Sequence, residues 1–149
     1  MPTREDIQKS ARKLVGAPWH HQGRSLSAGI DCIGGTIFIG LDTGLFTQEQ
    51  IDSVDSLDYS RRADAYELLV QKLRENMDEI AVSDAIEGDI ITFRMSSERL
   101  TSHVGVLVRG AREMHLVHSL EATATFEETY RRWKPYATFA FRFRGLEEV

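Results

Sequence analysis

The chain has 149 residues, 42% of them hydrophobic and 28% charged, with a formal net charge of −5. That size fits a single domain spanning 1–149 with a core of its own, and the composition excludes a disordered or fibrous chain. The acidic balance speaks against a nucleic-acid partner, which requires a basic face. The basic cluster Arg131, Arg132, Lys134, Arg142 and Arg144 reads as solvated helix and strand faces.

The opening Met-Pro-Thr-Arg-Glu-Asp has no apolar signal region, and no apolar run reaches the length of a membrane span. The expectation is synthesis in a cytoplasm without a signal peptide. Residues 4–15 predict an amphipathic helix, with Thr3 as N-cap and Ile7, Ala11, Leu14 and Val15 on one face. Gly16-Ala17-Pro18 ends it, and a loop rich in Gly, Ser and His follows over 17–31. Residues 32–41 are almost uniformly apolar and too long for an ordinary strand, so they predict a buried helix. Gly34 and Gly35 in its first turn cost about 1 kcal/mol each against alanine, which suggests another backbone close to Cys32.

A polar connection with one helical turn is expected over 47–60. A second long helix is expected over 61–78, with Ala65, Leu68, Leu69, Leu73 and Met77 at helical spacing. Four β-rich runs follow, at 88–93, 103–108, 114–119 and 137–143, with a short helix expected over 126–133. Helices first and strands later predict an α+β fold with an antiparallel sheet.

Cys32 is the only cysteine, so it has no internal disulfide partner. At a helix start it meets free N–H groups and a partial positive charge, which favour the nucleophilic thiolate. Such a nucleophile needs an imidazole base and a third group to orient it. His103 is the candidate base: it opens an apolar strand after the polar loop 96–102, at a sheet end. A turn centred between Gly110 and Ala111 would set His118 opposite His103, about 5 Å away at Cβ. His115 lies on the other face of that strand and is the alternative third residue, reached by a different register. Zinc on Cys32, His115 and His118 is chemically conceivable, but there is no second cysteine or tight Cys/His pair, so no metal or other cofactor is expected.

Four segments together resemble the NlpC/P60 family of cysteine peptidases, and most closely its phage cell-wall branch. They are residues 11–23, Gly29-Ile-Asp-Cys-Ile-Gly34, Glu87-Gly-Asp-Ile-Ile-Thr-Phe93, and His103-Val-Gly-Val-Leu107 followed by Leu116-Val-His-Ser119. The ending Phe139-Ala-Phe-Arg-Phe143 is similar to that branch's final strand. The resemblance implies a papain-like fold in which N-terminal helices, one starting at the catalytic cysteine, pack on an antiparallel sheet. It also implies a triad of Cys32, His103 and His118, and hydrolysis of peptidoglycan stem peptides at the γ-D-glutamyl-diamino acid bond through an acyl-enzyme. Asp31 matches a position that helps bind the substrate's free amine, with helix capping as the competing role. Trp19 stands where the family usually has a tyrosine lining the site, so a hydroxyl is lost there. Ile33 replaces a common serine, and extra residues around 109–115 lengthen the hairpin. An acyltransferase using the same thioester and an inactive phage tail or assembly module are the alternatives. The expected partner is the stem peptide, reached by delivery through a phage tail, a secretion assembly or lysis.

Overall fold

The structure is a computed structural model that describes residues 1–20, 23–55, 65–94, 103–121 and 123–147. Expectations for residues 56–64, for His21 and for the loop 96–102 lie outside those residues, as does the side chain of Ala65.

The first helix, α1 (Arg4–Lys13), begins with a capping box. The Thr3 hydroxyl accepts from the Asp6 N–H, and the Asp6 carboxylate accepts from the Thr3 N–H. Its inner face buries Ile7 and Ala11, with Leu14 at the cap. Val15 was expected on that face but is 45% exposed, because the helix has already ended. A small two-stranded element follows, β1 (Arg24–Ser25) and β2 (Gly29–Ile30), and leads directly into α2 (Cys32–Thr43). Then come α3 (Gln48–Asp55) and α4 (Ala65–Asn76). On α4, Leu69 and Val70 face inward while Leu68 is 42% exposed, so the buried stripe is narrower than the spacing suggests.

The second half is a six-stranded antiparallel sheet. Its strands are β3 (Asp78–Ile80), β4 (Ile90–Phe93), β5 (His103–Arg109), β6 (Met114–Ser119), β7 (Thr125–Thr129) and β8 (Ala137–Arg142), in the spatial order β3-β8-β4-β5-β6-β7. Two of these strands were not expected. β3 is short and mostly exposed, so it carries little apolar signal. β7 occupies residues expected to be helical; only Tyr130–Arg132 and Lys134–Tyr136 coil, as single 3-10 turns. Pairing with β6 along its whole length decides the matter, since tertiary partners override local propensity.

Alternation along the strands gives the sheet two different faces. Val104, Val106, Val108 and Val117 pack with Ile7, Ala11 and Leu14 and with Ile33 and Ile37 of α2. Ile91, Phe93, Leu107, Leu116 and Ala140 form the opposite face, covered by Tyr130 and Trp133. Each of the buried Val, Leu, Ile and Phe side chains among these contributes roughly 1.5–3 kcal/mol by leaving water. The two ends of the fold are joined by Asp89, whose carboxylate is fully buried. It accepts from Arg4 of α1 at 3.0 Å and from Arg142 of β8 at 2.9 and 3.0 Å.

Candidate active site

Asp31 is the N-cap of α2. Its backbone is extended, and its carboxylate accepts from the Gly34 N–H at 2.7 Å. With 3% of its surface exposed, its described contact is a capping one. Gly35 has a packing reason, though not the one expected. A Cβ there would stand 3.3 Å from Leu14 Cδ1, so it is the side chain capping α1, not a backbone, that crowds this turn.

Cys32 follows as the first residue of α2 and is half-buried. Backbone groups of Val104, Ile33 and Cys32 itself hydrogen-bond to the sulfur and favour its ionised form. They do not prevail. Burial, reinforced by the neighbouring Asp31 carboxylate, pushes the thiol up to about 12. This corrects the expectation of a stabilised thiolate: a helix terminus supplies about half a charge, while desolvation and a full carboxylate oppose it. The thiol is therefore neutral at neutral pH.

The hairpin of β5 and β6 brings the histidines together in a register different from the expected one. Gly105, not His103, lies opposite His118, and the turn is closed by Gly110 N–H donating to Glu113 O at 3.0 Å. The shift is two residues, an even number, so every side chain keeps its face. His103 and His118 therefore meet diagonally, with His103 Nε2 2.8 Å from His118 Nδ1 and ring centroids 5.0 Å apart. Gly105 makes the diagonal possible. A Cβ there would come within 2.6 Å of Leu116 Cδ1 and 3.2 Å of His118 Cβ.

The pair is enclosed by aromatic rings. Phe93 and Trp133 lie 5.9 and 5.4 Å from His103, and Phe126 and Trp133 each lie 4.8 Å from His118. This burial pulls His103 down to about 3, with the proximity of His118 as a second cause. Burial also lowers His118, against the opposing pull of Glu128. Both imidazoles are neutral at neutral pH.

Glu128 is the site residue that sequence reasoning missed. Its Oε2 lies 2.8 Å from His118 Nε2, and its Oε1 accepts from Arg132 at 3.2 Å. The signal was the alternation of Thr125, Glu127 and Thr129 against Phe126 and Glu128, hidden by reading 126–133 as a helix. His115 is directed to the other face and meets Glu127 at 2.8 Å, so it takes no part in the pair.

The thiol and the pair are neighbours along the backbone: the amide of Val104, which reaches the sulfur, directly follows His103. No hydrogen bond joins Cys32 to His103 among the described residues. Trp19 is half-buried, and its backbone bridges Ile30, two residues ahead of Cys32. Ser119, next to His118, donates to Ile30 O at 3.2 Å and ties β6 to the same segment. Among the described residues no helix is long and apolar enough to cross a membrane, and no three His, Cys, Asp or Glu side chains are grouped to hold a metal ion.

No protein-family model matches the chain, and no curated protein matches it. Solved structures do. The NlpC/p60 domain of the peptidoglycan hydrolase SagA aligns with 95% of this chain and 99% of its own, at a TM-score of 0.61 and 19% identity. An NlpC/P60 family protein from Bacillus cereus gives a TM-score of 0.66 at 18% identity, over 95% of this chain and 40% of that one. A protein from Staphylococcus aureus described as similar to lipoprotein, of the NLP/P60 family, gives 0.58 at 20% identity, over 97% and 42%. The chain thus spans about two fifths of the Bacillus and Staphylococcus proteins and nearly all of the SagA domain. With its helices ahead of a six-stranded antiparallel sheet, and a cysteine at the start of the helix packed on that sheet, the chain has the NlpC/P60 fold.

Proposed function

We propose that this protein is a cysteine peptidase that hydrolyses peptidoglycan stem peptides, with the γ-D-glutamyl-diamino acid bond as its target. One observation carries the reading: a hydrogen-bonded His103–His118 pair begins one residue before the backbone amide that meets the Cys32 thiol at a helix start. The likeness of fold to a peptidoglycan hydrolase domain supports the choice of substrate.

In this reading His103 is the base, His118 orients it, and Cys32 is the nucleophile. Because thiol and imidazole are both neutral at rest, the proton leaves Sγ for His103 as the sulfur attacks the carbonyl. The carbonyl oxygen of the tetrahedral intermediate is stabilised by N–H groups at the start of α2. The amine leaves with the proton, and water resolves the thioester on Cys32. Trp19 forms a wall of the substrate cleft, and Asp31, engaged as a cap, orients the loop that approaches the substrate amine. Access to the wall comes through a phage tail, a secretion assembly or lysis.

The test is digestion of defined muropeptides followed by mass measurement of the products. Wild-type protein releases fragments cut between D-glutamate and the diamino acid, and Cys32→Ala releases none. Cleavage by the alanine variant would overturn the reading.

A further inference from the structure

Resting on that function, we infer that Glu128 is a positioning residue: through His118 it fixes the tautomer of His103, so that the bare nitrogen of His103 is Nδ1. A carboxylate has no hydrogen to give, so His118 Nε2 carries one and donates it to Glu128 Oε2, 2.8 Å away. A neutral His118 then has a bare Nδ1, which accepts from His103 Nε2 at 2.8 Å. His103 has spent its only hydrogen there, and the lone pair left over is on Nδ1.

The same chain answers a difficulty posed by the site. His103 lies among Phe93, Trp133 and the His118 ring, where a positive charge is costly. When the Cys32 proton moves to His103 Nδ1, the S–H bond breaks and an N–H bond forms. The resulting imidazolium is hydrogen-bonded through one further ring to a single carboxylate. Among the described residues, the titratable and charged groups around the pair are Cys32 of α2 with its N-cap Asp31, Glu128 from β7, and Tyr130 and Arg132 from the following turn. Asp31 is occupied as a helix cap and Arg132 is exposed, so Glu128 is the carboxylate bonded to the pair.

The test combines imidazole 15N spectra with muropeptide kinetics, on wild type, Glu128→Gln and Glu128→Ala. In wild type the spectra show hydrogen on Nε2 of both His103 and His118. In Glu128→Gln the amide oxygen still accepts, so the tautomers persist. The charge is gone, kcat falls about tenfold or more with KM unchanged, and the acid limb of the kcat profile moves to lower pH. Glu128→Ala mixes the tautomers and lowers kcat by about 100-fold. Hydrogen on His103 Nδ1 in wild type overturns the proposal, as does Glu128→Ala with wild-type tautomers and kcat. If Glu128→Ala does not fold, an unmoved acid limb in Glu128→Gln overturns it. A wild type that leaves muropeptides intact but gives the expected spectra, lost in Glu128→Ala, supports the positioning role and sinks the peptidase reading.

Discussion

Two histidines of β6 each meet a glutamate of β7 at the same 2.8 Å, on opposite faces of the sheet. His115 and Glu127 stand in half-open surroundings, with 30% and 23% of their side chains exposed, and Arg12 of α1 shares the glutamate. The Arg12 hydrogen bond holds the Glu127 carboxyl below its usual range. His118 is fully covered, and its glutamate is 16% exposed. Water screens the first pair; aromatic rings surround the second. Equal geometry therefore carries unequal weight, because a charge is felt far more strongly where solvent is excluded.

The largest separation between the two faces is expected in turnover. His118→Ala should lower muropeptide cleavage by about 100-fold, and His115→Ala should leave it within about twofold. Equal losses would erase the distinction. Next in size is Gly105→Ala. Its methyl group would press on Leu116 and His118, and denaturant unfolding should show a loss of about 1–3 kcal/mol.

The pH dependence of stability sharpens the contrast further. A histidine whose folded value is depressed stabilises the protein fully above its unfolded value near 6.5, and that stability is lost as pH falls toward the folded value. For His103 the window runs from 6.5 down to about 3. Across it, each pH unit costs up to about 1.4 kcal/mol. Thermal melting between pH 7 and pH 4 should thus fall less steeply in His103→Asn than in wild type. Parallel slopes for the two would show that His103 is not held neutral by the fold. The smallest effect belongs to Glu127→Gln: less than about 1 kcal/mol, and smaller still in high salt.

Much of this is legible in the sequence. Thr3 marks a capped helix, the apolar block after Cys32 marks a buried one, and β-branched runs mark the strands on either side of Gly110. His118 and not His115 shares a face with His103 despite the register error, because that error was even. What stayed hidden depends on partners distant in sequence. β7 is a strand because β6 lies beside it, and Glu128 becomes part of the site only once that pairing exists. The thiol's state was misjudged because a sequence reveals a helix terminus but not how much water is removed from it, nor that the capping carboxylate would oppose the dipole.

Asp89 has a bearing on how the protein comes into being. Its two arginine partners are contributed by the first helix and the last strand, and β8 is wedged between β3 and β4. On a ribosome, neither the central sheet nor the buried carboxylate can be completed until residues 137–142 have emerged. Pairings of such long sequence separation form late and slowly. The thiol and the histidine pair, although encoded earlier, would gain their final surroundings only once β8 is in place. A nascent chain lacking β8 is thus expected to be both chemically idle and prone to stick to others through its unpaired strands.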